Sequence, residues 1–242
     1  TDEGRLLYDH VSEAFEALNE GEEKLKRSIE LGVGQLKIGV SSTLCKYMLL
    51  PYLKEFIHRN PHISISIECQ STNETLKLLD DDKIDIGLIG KPASLKTFNF
   101  YYLDNIEDIF VTTKDYLRNL SARGVKKSEI LQNSTLMLLD KGNMTRKYID
   151  DYLQENQIHV KDSIDISNMD LLIDFAKIGV GVACVIKSIV SKELADGTLI
   201  EIPLGIPIHK REVGFAYKES SKLSTSLQTF IKFYESYTPE DF

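Results

Sequence analysis

Several features that would assign a protein to a class are missing from this sequence of 242 residues. It has no tryptophan and three cysteines, Cys45, Cys69 and Cys184, which form no CxxC pair and no Cys/His cluster. Such an odd, scattered set argues against a disulfide framework or a zinc site and favours a reducing compartment. No apolar run approaches the roughly 20 residues of a membrane span, and the N-terminal segment is unlike a signal peptide. We therefore expect a cytoplasmic protein without a membrane partner.

The sequence also has fewer basic than acidic residues. Lys and Arg number 29 against 37 Asp and Glu, so the formal net charge is −8. This balance argues against a broad basic face that would bind DNA or an anionic membrane. It leaves room for a small, locally positive pocket.

Motifs for catalysis are missing as well. The sequence has no GxSxG, no P-loop, no GxGxxG after a strand and no HExxH. The acidic run at 80–82 is best explained as a solvated turn. Cys45 has neither a matching histidine nor a plausible resolving cysteine, so packing is favoured over a role as nucleophile or thiol sensor. We predict that the chain is not an enzyme and uses neither a metal nor a cofactor.

A strong helical pattern occupies residues 5–30. Its small and apolar positions repeat with 4-3-4-3-4 spacing, at Leu7, Val11, Ala14, Leu18, Gly21 and Leu25. A narrow heptad stripe of this kind is typical of a helix that pairs with another helix. Docking on the helix's own domain is the alternative. Gly32 and Gly34 are expected to close the helix and form a hinge-like joint.

After residue 34, predicted strands and helices alternate. QLKIGV, HISISIEC and IDIGLIG are predicted strands with helices between them, which indicates a parallel, doubly wound sheet. A second cycle of strands and helices begins near residue 114. We predict an α/β protein with two similar lobes, joined by crossings near residues 111 and 207.

Short polar side chains stand at four places where a predicted strand leads into a helix. They are Ser41-Ser42-Thr43, Gln70-Ser71-Thr72-Asn73, Lys141-Gly142-Asn143-Met144-Thr145-Arg146 and Ser167-Asn168-Met169. Ligands of open α/β sheets bind at the carboxyl ends of the strands, where helix N-termini favour negative charge. Each junction alone is most simply a helix cap. Four of them at one edge predict a cleft for a carboxylate, an amino acid or an oxyanion.

Several segments, in order along the chain, resemble LysR-type transcriptional regulators. TDEGRLLYDHVSEAFEAL resembles the end of the family's winged helix and its linker helix, and GQLKIGVSSTLCKYMLLPYLKEFIHRNPHISISI resembles its first regulatory strand and helix. LDDDKIDIGLIG, DLLIDFAKIGVGVACVIKSIV and ADGTLIEIPL resemble later segments of the same domain. The resemblance covers essentially the whole chain.

The resemblance implies an effector-binding domain with a periplasmic-binding-protein-like fold. It predicts a linker and dimerisation helix at 1–31, regulatory subdomain I at 34–111 plus 208–242, and subdomain II at 112–207. A DNA-binding winged helix is expected to precede residue 1, and a homodimer or homotetramer is expected. The cysteine spacing differs from that of the family's peroxide sensors, so no disulfide switch is expected. A solute-binding protein of the same fold is the alternative function.

By the same resemblance, the effector contacts come from the polar junctions. The predicted effector-binding residues are Ser41, Ser42, Thr43, Thr72, Asn73, Asn143, Thr145, Arg146 and Asn168.

Overall fold

The computed structural model describes residues 1–30, 34–92, 94, 97–218 and 223–238, and leaves out the side chains of residues 6, 9 and 24–30. The predicted helix stop at Gly32 and the side chain of Leu25 therefore lie outside the described residues.

The first of two mixed sheets contains β1 (Gly34–Val40), β2 (Ile63–Cys69), β3 (Ile86–Gly90), β4 (Phe98–Ile106) and β10 (Arg211–Lys218). Its strand order is β2-β1-β3-β10-β4. β1 and β3 are parallel, with Ile38 opposite Ile86, whereas β10 is antiparallel to both of its neighbours. We call it sheet A.

The second sheet, sheet B, contains β5 (Asp108–Thr112), β6 (Thr135–Leu139), β7 (Asp162–Ile166), β8 (Val182–Ile186) and β9 (Ile200–Glu201). Its order is β7-β6-β8-β5-β9. β6 is parallel to β7 and β8, whereas β5 is antiparallel to β8 and β9. The two sheets thus share one plan, a parallel core and an antiparallel strand beside it. The strand patterns predicted the parallel cores but not the antiparallel direction of β5 and β10.

Helices connect the strands in both sheets. They are α1 (Asp2–Glu30), α2 (Ser42–Leu44), α3 (Leu50–Arg59), α4 (Thr72–Asp80), α5 (Lys114–Ala122), α6 (Ile130–Asn133), α7 (Met144–Glu155), α8 (Met169–Lys177), α9 (Ser191–Asp196) and α10 (Thr225–Ser236). Short 3₁₀ turns cover Lys127–Glu129 and Lys187–Val190. Every residue of β5 and β8 is buried, as expected for strands covered on both faces.

A π-helical turn, Cys45–Leu49, joins α2 to α3. The Leu50 N–H donates to the Cys45 carbonyl, one residue further back than in an α-helix. Pro51 follows, has no N–H, and in a regular helix would press its ring against the carbonyl four residues earlier. Pro51 is the second residue of α3, within a helical segment that continues from α2 through the π-helical turn. The π-helical turn at Cys45–Leu49 is the local irregularity of the helix just before this proline.

The chain divides into two compact units, Thr1–Lys37 with Pro51–Ser66 and Ser220–Phe242, and Ile38–Leu50 with Ile67–Glu219. In the first unit, Phe56 of α3 packs edge-on against Phe230 and Phe233 of α10, with ring centroids 4.9 and 5.3 Å apart. Arg59 lies 5.6 Å from the centroid of the Phe233 ring. Burial of these rings supplies much of the apolar driving force that holds α3 to α10.

In the same unit, α1 exposes the apolar stripe that the heptad pattern identified. Leu7, Val11 and Leu18 are 66, 44 and 68% exposed, and Phe15 beside them is 62% exposed. Isolated exposed apolar residues are ordinary, but a stripe along one helix marks a contact surface. The helix continues through Gly21 without a break.

Candidate functional site

At three of the four predicted polar junctions, the side chain that caps the following helix belongs to a residue lining one cavity. The Ser41 and Ser71 hydroxyls each accept a hydrogen bond, at 3.3 Å, from the backbone N–H three residues later. The Asn143 side-chain oxygen accepts one from the Thr145 N–H at 2.8 Å. A cap satisfies one of the free N–H groups of the first turn and leaves others available.

These three junctions meet at a cavity of about 780 Å³, all of it within the second compact unit. Its volume falls inside the range of about 300–1,000 Å³ that is usual for small-molecule sites. Six of the nine predicted effector residues line it: Ser41, Thr43, Thr72, Asn73, Asn143 and Thr145. Sheet A therefore supplies hydroxyls and an amide from one side, and sheet B supplies a hydroxyl and an amide from the other.

The other three predicted residues, Ser42, Arg146 and Asn168, do not line this cavity. Ser42 lies beside two residues that do, but its own side chain is exposed. Asn168 caps α8 by accepting a hydrogen bond from the Leu171 N–H at 2.9 Å. The predicted fourth junction thus forms, with Asn168 as its cap, but it contributes no residue to the cavity.

Arg146 is buried and engaged elsewhere. Its side chain is 7% exposed, and its Nε donates to Asp150 at 2.8 Å. Its Nη1 donates to Asp165 at 2.5 Å and to the Leu139 carbonyl at 2.9 Å. The guanidinium borders a different, smaller hollow. Arg146 therefore ties α7 to β6 and β7.

The guanidinium in the cavity belongs to Arg211, which the sequence reasoning missed. Its Nε and Nη2 donate to the two carboxylate oxygens of Asp108 at 2.8 and 2.9 Å, and Nη2 also donates to the Thr145 hydroxyl at 3.2 Å. The Tyr148 ring lies 5.2 Å from the guanidinium carbon. Nη1 has no hydrogen-bond partner among the described residues. Two N–H donors of a planar cation are therefore free to meet an anion.

Asp108 is the buried partner that orients this guanidinium. Its side chain is fully buried and that of Arg211 is 15% exposed. Burial raises the pKa of Asp108, and the facing Arg211 opposes that rise. Two parallel hydrogen bonds to Asp108 fix the plane of the guanidinium, and they therefore also fix the direction of the Nη1 N–H groups.

Other charged residues of the cavity are more exposed. Lys91 pairs with Glu212, and both line the cavity. Lys210 pairs with Glu107 at 3.0 Å. The Lys147 side chain is exposed, lines the cavity, and has no ion-pair partner among the described residues. The cavity therefore combines paired charges with at least one free ammonium group.

The sequence contains a basic segment that includes Arg211, but its place at the cavity can be predicted only if the direction of the strand is known. The segment His209-Lys210-Arg211 is basic and opens β10. Because β10 is antiparallel to β3, its first residue lies at the edge where the parallel strands end. That edge is the ligand-binding edge of an open α/β sheet.

No group of three or more His, Cys, Asp or Glu side chains able to hold a metal ion occurs among the described residues. The acidic turn at 80–82 instead bonds to lysines, with Lys218 contacting the Asp80 carbonyl and the Asp82 carboxylate. Within the same described part of the chain, no helix is long and apolar enough to cross a membrane.

A two-sheet α/β domain with a polar cavity at the carboxyl ends of its strands defines a class of small-molecule-binding domains. Solved structures share the fold. The regulatory domain of CcmR from Synechocystis PCC6803, in complex with 2-PG, matches with a TM-score of 0.70 and 18% identity over 83% of this chain and 95% of its own. The effector-binding domain of QuiR, in complex with shikimate, matches with a TM-score of 0.66 and 16% identity over 83 and 94%.

The sequence profile of the LysR substrate binding domain matches residues 30–238. The chain belongs to this family. The regulator YeiE of Escherichia coli K12, described as an uncharacterized HTH-type transcriptional regulator, is 23% identical over 231 residues, covering 95% of this chain and 76% of its own length. The predicted family and the two-lobed, periplasmic-binding-protein-like fold are thus confirmed, and the chain is the effector-binding region of a LysR-type regulator.

Proposed function

We propose that the cavity binds a small anion, of the carboxylate, amino-acid or oxyanion class, as the effector of transcriptional regulation. The observation that carries the proposal is the Arg211 guanidinium, held by Asp108 with Nη1 unpaired among the described residues. An anionic oxygen accepts those hydrogen bonds more strongly than a neutral one, because the charge assists them.

Helix N-termini add to the positive character of the site. α4 and α7 begin at cavity-lining residues, and the positive ends of their dipoles favour an anion there. Thr43, Thr72 and Thr145 offer hydroxyls that can donate to its oxygens. Leu44 and Ile186 add apolar wall, which suits a small organic anion better than a bare ion.

Among the similar structures, the effector-binding domain of QuiR is in complex with shikimate and the regulatory domain of CcmR with 2-PG. We propose the same chemical size class for this chain, without assigning either compound to it.

In mechanism, an effector shifts a conformational equilibrium by the difference between its affinities for the two states. A contact between an element that follows a strand of sheet A and one that follows a strand of sheet B would change in such a shift. Lys46, after α2, lies 2.7 Å from Asp170 of α8, and the Tyr47 hydroxyl donates to the same carboxylate oxygen at 2.5 Å. We propose that this contact is remade when the effector binds.

A thermal-shift screen of small carboxylates, amino acids and oxyanions tests the proposal, because a ligand that prefers the folded chain raises its melting temperature. Shikimate and inorganic sulfate are suitable first probes. A screen in which only neutral compounds raise the melting temperature would contradict an anion site.

For any compound that raises the melting temperature, substitutions then test whether it binds in the cavity. Thr43→Val removes a cavity hydroxyl at nearly constant volume, whereas Ser42→Ala removes the neighbouring hydroxyl that lies outside the cavity. Losing a hydrogen bond to a charged group costs about 1.5–3 kcal/mol, or roughly 10- to 150-fold in affinity. Calorimetry should show this loss for Thr43→Val only. Equal behaviour of the two variants would place the ligand elsewhere.

We also propose that α1 pairs with α1 of a second copy. The heptad spacing of its exposed stripe, Leu7, Val11, Ala14 and Leu18, is the pattern that one helix offers to another. A homodimer formed in this way covers the stripe, and a homotetramer requires a further contact.

Light scattering on matched variants tests the pairing. Leu18→Glu places a charge in the stripe, and Asn19→Glu places the same charge one position away, on the outer side of the heptad. The first should lower the molar mass in solution and the second should not. An unchanged mass for Leu18→Glu would remove α1 from the interface.

The relatives are regulators of transcription, which favours this function over the alternative of a solute-binding protein of the same fold. We propose that the whole protein contacts DNA through a winged helix N-terminal to this region, and that it acts in the cytoplasm, where that DNA lies. Effector binding would alter how paired copies present the winged helices.

A further inference from the structure

Gly90, the last residue of β3, has open space where a side chain would lie. Other glycines of sheet A do not. A Cβ built on Gly39 or Gly87 would lie 2.4 or 2.7 Å from atoms of buried side chains, and one on Gly214 would lie 2.1 Å from a backbone carbonyl oxygen. A Cβ on Gly90 would meet one atom of the described residues outside its chain neighbours, at 3.9 Å, which is ordinary van der Waals contact. Packing therefore does not require a glycine at residue 90.

Backbone conformation does not require it either, because the φ angle of Gly90 is not positive. Glycine is an unfavourable residue for a strand, since it loses the most backbone entropy on folding. A strand glycine that neither packing nor φ explains commonly marks the close approach of a ligand. Gly90 is the one half-buried residue of β3, and it lines the cavity. The space over Gly90 is therefore part of the cavity.

The atom 3.9 Å from this Cβ position is Nη1 of Arg211. The strand register explains why the two meet. Gly90 is opposite Val213 of β10, and Arg211 precedes Val213 by two residues. Side chains alternate along a strand, so Arg211 and residue 90 are diagonal neighbours on one face of sheet A. Because Asp108 accepts hydrogen bonds from Nε and Nη2, the nitrogen left beside Gly90 is the one without a partner among the described residues.

We propose that the space between Gly90 and Nη1 of Arg211 is the subsite for the anionic group of the effector, and that Gly90 determines specificity by keeping this space open. The inference rests on the proposed anion site, and it adds where the anionic group binds and which residue limits its size. A carboxylate or oxyanion oxygen about 2.9 Å from Nη1 would accept its free N–H. A methyl group at residue 90 would contact Nη1 and take up part of the same space.

The first test needs no ligand. Gly90→Ala adds a methyl group to open space and removes the entropic cost of a glycine, so its urea midpoint should equal or exceed that of the parent. Gly87→Ala, on the same strand, adds a methyl group 2.7 Å from the fully buried side chain of Thr75 and should lower the midpoint. If Gly90→Ala lowered the midpoint as much as Gly87→Ala, protein atoms would fill the space and the inference would be overturned.

A thiol introduced at residue 90 tests whether the subsite attracts an anion. Gly90→Cys is alkylated with iodoacetate, which is a small carboxylate, and separately with iodoacetamide, its neutral counterpart. Peptide mapping distinguishes this label from those on the three native cysteines. The control is Gly205→Cys, at an exposed position with no neighbouring atom of the described residues within 4 Å of its Cβ position.

The rate with iodoacetate is divided by the rate with iodoacetamide, which cancels any change in the pKa of the thiol itself. This ratio should be about tenfold or more higher for Gly90→Cys than for Gly205→Cys, because a cationic group in a cleft concentrates anions. An equal or lower ratio for Gly90→Cys would overturn the inference. So would an introduced thiol that neither reagent labels in the folded chain.

Calorimetry with shikimate and with inorganic sulfate separates this inference from the proposed function. An anion that binds the parent should bind Gly90→Ala at least about 10-fold more weakly, as expected when a hydrogen bond to a charged group is lost. Gly205→Ala should keep the affinity of the parent. Equal affinities of the parent and Gly90→Ala would overturn the inference and leave the anion site of the proposed function intact. A thermal-shift screen in which only neutral compounds raise the melting temperature would instead contradict the proposed function.

Discussion

Arg146, which is buried, and Arg211, which is half-buried, both form ion pairs, but only Arg211 lines the cavity. Both bond to carboxylates and both contact elements near the start of α7. Thr145, one residue before Arg146, faces the cavity. A step of one residue turns a helix by about 100°, so Arg146 points at Asp150 and Asp165 instead. Proximity along the chain therefore does not decide which side chain reaches a ligand.

The acids around the two arginines also differ. The Asp108 carboxylate that holds Arg211 is fully buried, whereas those of Asp150 and Asp165 are 47 and 42% exposed. Water can replace the contacts of Asp150 and Asp165 with Arg146, but it cannot replace the contact of Asp108 with Arg211. We conclude that the ion pair of Arg211 with Asp108 is fixed in place within the cavity, whereas the Arg146 cluster tolerates the loss of one of its carboxylates.

The largest effect should follow from removing the buried acid. Asp108→Ala leaves the Arg211 guanidinium in an interior without its partner, which typically costs about 3–5 kcal/mol. Asp150→Ala removes a half-exposed partner, and Arg146 keeps Asp165, so the loss should be at most about 1 kcal/mol. Urea unfolding of the two variants measures both. Equal losses would show that burial does not separate the two arginines.

A smaller effect, on binding, should separate the arginines themselves. Arg211→Lys keeps the charge but cannot hold Asp108 with two parallel bonds and direct a third nitrogen to the ligand. Affinity for an anion found by the screen should fall by roughly 10- to 150-fold, equivalent to about 1.5–3 kcal/mol.

Arg146→Lys is the matched control for this change. Calorimetry should give it the affinity of the parent, because its side chain does not line the cavity. If Arg146→Lys weakened binding as much as Arg211→Lys, the ligand would occupy the smaller hollow beside α7.

The smallest effect should come from an exposed acid, Asp170. Hydrogen bonds from Lys46 and Tyr47 lower the pKa of Asp170. A lowered pKa stabilises the fold above the unfolded value of about 3.9, and the contribution disappears as the pH falls through the folded pKa. Asp170→Asn should therefore unfold at lower urea concentration than the parent at neutral pH, and at the same concentration once the pH is below both values.

Asp162→Asn removes a carboxylate that has no ion pair among the described residues, and it provides the control for Asp170. Asp162→Asn should leave the urea midpoint at neutral pH close to that of the parent, because no ion pair of the described residues is lost. A gap between the parent and Asp170→Asn that persisted in acid would mean that the lost contact is not electrostatic.

Much of the cavity was predictable because helix caps are local. Ser41, Ser71 and Asn143 were identified from residue type and position after a strand, and each accepts a hydrogen bond from the helix that follows. The cap of α8 is Asn168, which lies within the predicted junction Ser167-Asn168-Met169.

What the sequence determined by itself follows from contacts of short range: the order of strands and helices, the caps, and the heptad stripe of α1. Each depends on spacings of a few residues, which are visible in a linear pattern. Tertiary structure alone decided that Arg211 meets Asp108, 103 positions away. The physical reason is strand direction. The antiparallel course of β10 brings its first residue to the ligand edge of the sheet, and no local preference encodes which way a strand runs.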